Sequence, residues 1–267
     1  MASMTRDLAV ALVAPAAIVG AAILVAPHLR VSAGVADALT FGCAAAVAVL
    51  GVALGTKKPL PPAVVATVDA LAIAVLGALA LLRVKSPWVS PVVDTCLLAL
   101  AWATGGAIGA RIEHPGHLLP AAAVAAAADI VSVASSWGPS HAIASSERAL
   151  ALLAISFPVP GTRVVAPALG VGDLVFIALV LAAARAHALP VRRITVLALV
   201  GVLVAGFGSA LLGRAVPALP TIGLAVIAFV PEARRLRRKD RTVATIAIGV
   251  SVAVAVFGIV NALRAPM

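Results

Sequence analysis

Apolar runs close to twenty residues long, separated by short charged or Pro/Gly breaks, recur from one end of the chain to the other. We read them as Leu8–Ala26, Val35–Gly55, Ala63–Leu82, Val92–Ala110, Leu118–Trp137, Gly172–Leu189, Ile194–Gly213, Pro217–Val230 and Thr242–Leu263. A helix needs about 20 apolar residues to cross a hydrocarbon layer of about 30 Å. Inside that layer every backbone N–H and C=O must be satisfied without water, which leaves helices and closed barrels as the spanning structures. Continuous apolarity, rather than strict alternation, selects the helix. The expected fold is therefore all-α: a polytopic transmembrane bundle of about nine helices with short loops.

Composition agrees. Hydrophobic residues make up 63% of the 267, charged residues 11%, and the mean hydropathy is +1.17, which leaves no room for a sizeable soluble domain. The net charge of +10 does not indicate nucleic acid, because the basic residues cluster between apolar runs, where topology and anionic headgroups account for them. With the N-terminus in the cytoplasm, thirteen lie inside: Arg6, Lys57, Lys58, Arg111, Arg185, Arg192, Arg193, Arg234, Arg235, Arg237, Arg238, Lys239 and Arg241. Seven lie outside: Arg30, Arg83, Lys85, Arg148, Arg163, Arg214 and Arg264. The expected topology is N-terminus in and C-terminus out. Leu8–Val25 has no convincing small-residue cleavage site after it and is read as a retained span rather than a signal peptide. Cys43 and Cys96 fall in separate apolar runs without CxxC spacing and read as buried small hydrophobes. Neither a metal site nor a cofactor is indicated, and His114, His117 and His141 lack ligand spacing.

The exceptional residues are carboxylates inside apolar runs. An ionised aspartate at the centre of a span costs about 2.5–3.5 kcal/mol on the lenient insertion scale, so each one calls for a function. Asp129 interrupts Ala121–Val133, and Asp173 follows Gly170-Val171-Gly172. Between them lies the one long connection, Gly138–Val171, whose apolar patch Ala149–Pro158 is too short to span and reads as an interfacial or re-entrant element. Counting helical rise from the loop on either side puts both aspartates at similar depth, and Pro217-Ala218-Leu219-Pro220 starts from that same side one hairpin later. The three features are thus expected to converge.

Two carboxylates about 3 Å apart cannot both ionise. They share a proton, so one acts as base on a water while the other acts as acid toward a carbonyl. Gly170 and Gly172 let backbone approach Asp173 closely. Pro217 and Pro220 remove two N–H donors and disfavour regular helix, leaving backbone that an extended substrate can pair with. The chemistry this suggests is aspartyl hydrolysis without metal.

Over roughly residues 118–231 these elements resemble, in order, the intramembrane aspartyl proteases that include presenilin and signal peptide peptidase. Ala128-Asp129-Ile130-Val131 looks like the first-aspartate helix, Gly170-Val171-Gly172-Asp173 matches the GxGD motif, and Pro217-Ala218-Leu219 matches the PAL motif. The resemblance implies a presenilin-like core of a prokaryotic-type homologue in the cytoplasmic membrane. It implies Asp129 and Asp173 as the catalytic dyad, and Pro217, Ala218 and Leu219 beside a transmembrane-segment substrate. On this reading 1–117 is a scaffold of helices, 118–231 the catalytic core, and 232–267 a basic loop with an added helix. The chain departs from the family in carrying Ala128 where tyrosine is usual, and it contains no tyrosine. Pro167, just before GxGD, lacks the N–H that strand pairing there would use.

Each feature has a plainer counterpart. GxGD also serves Gly-mediated helix packing, and PALP also serves as a helix start. Asp69 reads as an interhelical hydrogen-bonding or cavity residue, while Asp37 and Asp94 at span ends face headgroups. Trp88 and Trp137 suit interfacial anchoring, and Arg234–Arg241 suits a topology and lipid anchor. The alternatives to a protease are a proton-coupled transporter or channel using Asp69, Asp129 and Asp173, and an inactive membrane-assembly homologue.

Overall fold

The computed structural model describes residues 2–83, 86–135, 138–213 and 215–264. The expectations for Lys85, Trp137 and Arg214 lie outside the described residues. All nine apolar runs are helical. They are α1 (Ala2–Val25), α2 (Ala33–Gly55), α3 (Pro62–Leu82), α4 (Ser90–Leu100) continued through a π turn (Ala101–Gly105) into α5 (Gly106–Gly109), and α6 (Leu118–Ala134). The connection between the aspartates holds α7 (Pro139–Ala144), α8 (Glu147–Leu153) and a hairpin of β1 (Ala154–Pro158) and β2 (Val165–Gly170). The chain then continues as α9 (Val171–Ala186), α10 (Val191–Leu212), α11 (Ala218–Phe229) and α12 (Arg241–Arg264).

Seven helical stretches have the length and apolarity to cross a membrane, so the chain is an integral, multi-pass, all-α membrane protein. The surface says the same. Leu71, Ile73 and Leu81 in one part of the chain, and Leu211, Val243, Ile246, Val250 and Phe257 in another, are exposed, apolar surface of a kind that soluble chains keep small. Two of the nine runs fall short of a full span. The α9 helix has 16 residues and α11 has 12, or about 24 and 18 Å of rise. These two carry the GxGD and PAL sequences.

The chain divides into two compact units, each discontinuous in sequence. One comprises Met1–Ala110 with Arg148–Ala182, the other Arg111–Glu147 with Ala183–Met267. In the first unit, small residues bring the rods together. A Cβ at Gly51 would press on Pro15 of α1 and Leu98 of α4 at 3.3 and 3.2 Å. At Gly105 and Gly109 it would overlap the Val175 and Leu179 carbonyl oxygens, so this small-xxx-small pair seats α9 at backbone contact. The hairpin is buried in this unit. All five residues of β1 are inaccessible, and Thr40 of α2 donates its hydroxyl to the Pro158 carbonyl at 3.3 Å. The patch Ala149–Pro158, expected as an interfacial or re-entrant element, is thus the end of α8 followed by a buried strand.

In the second unit α6 is flanked by α11 and α12, and α10 lies against α11. Glycines again set the distances: a Cβ at Gly201 would sit 2.7 Å from the Ile222 Cα, one at Gly223 3.2 Å from the Ala122 Cβ, and one at Gly258 2.8 Å from the Val131 Cγ2. The basic connection Pro231–Asp240 folds as two 3-10 turns, and His117 Nε2 lies 3.1 Å from Asp240 Oδ2.

Candidate functional site

The site residues expected from sequence form two groups, one in each compact unit. The first is built on α6 and α11. Pro217 is the N-cap residue of α11, with φ −59° and ψ 131°, and the helix runs regularly from Ala218 with no side-chain cap of its own. Proline fits this position because its φ is already helical and the first N–H groups of a helix have no partner within it. The expected irregular backbone through Pro220 is corrected accordingly: PALP is a helix start, and Pro220 falls in the first turn, where its missing N–H breaks no intrahelical bond.

The partnerless N–H groups at that start are served from the neighbouring helix. Leu219 donates its N–H to Oδ2 of Asp129 at 3.0 Å, across 90 residues of sequence, and the Ala218 N–H also acts on that carboxylate. Thr221, one turn in, donates its hydroxyl to the carbonyls of Ala218 and Gly201 at 2.7 and 2.8 Å, tying the same turn to α10. Asp129 is half-buried, five residues before the end of α6, and Ala128 beside it is exposed. The expected partnership between the first aspartate and the PAL segment is therefore a direct hydrogen bond from the PAL backbone.

The second group is built on β2 and α9. Gly170 ends β2, Val171 begins α9, and Asp173 stands in the first turn of that helix, where a carboxylate is favoured by the helix dipole. Asp173 is half-buried. A Cβ on Gly170 would come within 3.6 Å of Asp173 Oδ2, while one on Gly172 would meet nothing within 4 Å. The expected need for unusual torsions is corrected, since neither glycine has a positive φ. A side chain at Gly170 would lie in contact with the Asp173 carboxylate, and Gly172 has no heavy atom close to where one would stand.

Strand β2 pairs antiparallel with β1, with Ile155 opposite Leu169 and Ser156 opposite Pro167, so Ala168 is the extra residue of a bulge. Pro167, expected to interrupt pairing with a substrate strand, stands at the bulge of the chain's own hairpin, where the ladder asks no N–H of it.

Three further polar positions emerge, one misplaced by sequence reading, one read as it stands and one missed. Asp94 does not face headgroups: it is 2% exposed, and its Oδ1 accepts the Ser156 N–H of β1 at 3.0 Å. Among the described residues its Oδ2 has no partner. Asp69 accepts the Thr104 hydroxyl at 2.9 Å from the π turn, as an interhelical hydrogen-bonding residue would, and its Oδ1 is likewise buried without a partner among the described residues. Trp102 in that turn buries an indole N–H with none. The cysteines are free, and Cys43 is exposed on the helix surface rather than buried, since in a bilayer an apolar side chain faces lipid as readily as core. A polar residue near the start of an apolar run, as Asp94 is, was the available signal for the first of these. Its distance from a membrane surface was the wrong inference from it, because a hairpin 60 residues later fills the space beside it.

Set against known proteins, the chain matches no family model, no curated protein and no solved structure.

Proposed function

We propose that the chain is an intramembrane aspartyl protease of the presenilin and signal peptide peptidase type, hydrolysing peptide bonds within transmembrane segments of membrane proteins or signal peptides. The observation that carries this reading is the Leu219 N–H on Asp129, which joins the first aspartate to the PAL sequence as that family's motif order requires. Asp173 in its glycine setting is the second carboxylate. One of the pair deprotonates a water while the other protonates the scissile carbonyl, and the roles reverse as the tetrahedral intermediate collapses and the amine leaves. Gly170 and Gly172 leave room beside Asp173 for an extended backbone, and Pro217, Ala218 and Leu219 border Asp129, which makes these five the substrate-binding residues. The partners are membrane-embedded helices and the lipid bilayer, and the chemistry requires no cofactor.

The test is incubation of the purified protein with a labelled transmembrane peptide, with and without an aspartyl-protease transition-state inhibitor. Inhibitor-sensitive cleavage that disappears in both Asp129→Asn and Asp173→Asn supports the reading. Cleavage that survives either substitution excludes it. A proton-coupled transporter or channel is the alternative, favoured by the partnerless oxygens of Asp69 and Asp94. It predicts proton flux across liposomes holding the protein, without peptide cleavage. An inactive membrane-assembly homologue, the reading that Ala128 favours, shows neither.

A further inference from the structure

Asp94 is buried, polar and outside the proposed chemistry, yet everything attached to it leads toward Asp173. Its Oδ1 accepts the N–H of Ser156, the β1 residue opposite Pro167 at the bulge. The Ser156 N–H is directed at α4, and a strand N–H buried in an apolar bundle without an acceptor is strongly unfavourable. Asp94 supplies it. Strand β2, held in register by β1, ends at Gly170, and α9 starts at the next residue with Asp173 in its first turn. The same α4–α5 rod that carries Asp94 also seats α9 farther along, through Gly105 and Gly109. The Gly170–Asp173 segment is thus fixed from both sides by one rod, with a carboxylate as the clamp at the strand side.

A carboxylate is an unexpected choice for a static clamp. A serine hydroxyl could accept an N–H without a second oxygen, whereas Asp94 buries an Oδ2 that has no partner among the described residues. Nor is Asp94 needed to hold the strand by bulk, since β1 is buried against α1 and α2 as well as α4. What it contributes is the position of one acceptor at the bulge, the point at which the hairpin's register is set.

We propose that Asp94 is a positioning residue for the GxGD segment: by accepting the Ser156 N–H it sets the register of the β1–β2 hairpin and, through β2, the placement of Asp173. This rests on the protease reading for its consequence in catalysis, but its first half is independent of any activity.

The experiment is amide hydrogen exchange on the purified protein in detergent, comparing wild type, Asp94→Ala and Asp94→Asn. In wild type the Ser156 amide is among the slowest of the hairpin. Asp94→Ala accelerates exchange at 154–158 and 165–170 by roughly tenfold or more, the change that leaving a buried donor without its acceptor corresponds to, while amides of α10 are unchanged. Asp94→Asn, which keeps an acceptor oxygen, restores protection. Fast exchange of Ser156 in wild type overturns the proposal without any variant, as does unaltered hairpin exchange in Asp94→Ala. With a cleavable peptide, Asp94→Ala lowers kcat by roughly 10²-fold, as displacement of a reacting group does, with KM little changed and recovery in Asp94→Asn. Loosened strands with an unchanged kcat overturn the link to Asp173. Altered exchange in a protein that cleaves nothing supports the hairpin clamp and refutes the protease reading instead.

Discussion

Asp129 has two separable tasks, and substitution at that one position divides them. It accepts the Leu219 N–H at 3.0 Å at the start of a helix that has no other side-chain cap. It is also the proposed acid or base. A hydrogen bond to a charged group contributes about 1.5–3 kcal/mol and one between neutral groups about 0.5–1.5. Asp129→Ala removes the acceptor of the part-buried Leu219 N–H, so the fold should lose about 1.5–3 kcal/mol. Asp129→Asn keeps an oxygen at the same place and should lose about 1 kcal/mol, the difference between the two kinds of bond. Catalysis behaves otherwise, because an amide neither takes nor gives the proton and both variants should be inactive. The assay pairs unfolding in mixed micelles by denaturant titration with cleavage of a labelled transmembrane peptide. A purely structural aspartate would give activity in proportion to stability, with Asp129→Asn largely active. That outcome would refute the catalytic assignment, and equal destabilisation by Asn and Ala would refute the capping argument.

Asp173→Asn should abolish cleavage with a normal yield of folded protein, checked by size-exclusion profile and peptide assay, because its first-turn position asks for no charge that the helix cannot do without. Gly109→Val should destabilise the first unit by about 1–3 kcal/mol, the usual range for overpacking, since the added side chain must push the Leu179 carbonyl aside; thermal unfolding in detergent measures it, and Gly77→Val, where a Cβ meets nothing within 4 Å, is the control. The topology expectation is tested with cysteines in a Cys43→Ser, Cys96→Ser background: Ser145→Cys should react with an impermeant thiol reagent from outside intact cells, and Glu232→Cys only after permeabilisation. Glu232 is preferred to its neighbour Ala233, which is 0% exposed and would be silent in either orientation.

The helices were legible because bilayer thickness sets their length and apolarity marks their extent, and every run we read in the sequence is a helix. The motifs named Asp129 and Leu219, and their meeting followed from order along the chain. What escaped sequence reading was everything decided by backbone geometry at long range. Ser156 and Asp94 carry no local sign that one serves the other, because the need for an acceptor arises only when β1 is buried with the Ser156 N–H facing α4. The π turn at Ala101–Gly105 is equally silent: its residues are ordinary in an apolar helix, and the turn becomes visible only with Thr104 hydrogen-bonded to Asp69. Apolar composition also could not tell a complete span from a partial one. Pro217–Val230 looked like a span, but α11 stops after 12 residues.

That shortness makes the surrounding lipid a participant. A rod of about 18 Å in a hydrocarbon layer of about 30 Å leaves about 12 Å that the helix itself does not fill. A mismatch of this kind is relieved by thinning of the membrane around the protein or by water entering over the helix end, at a fraction of a kcal/mol per Å. The N-terminal turn of α11, with Leu219 and Asp129, is the end most exposed to that relief if its other end keeps to a headgroup region through the basic connection Pro231–Asp240. Acyl-chain length should then tune how wet Asp129 is.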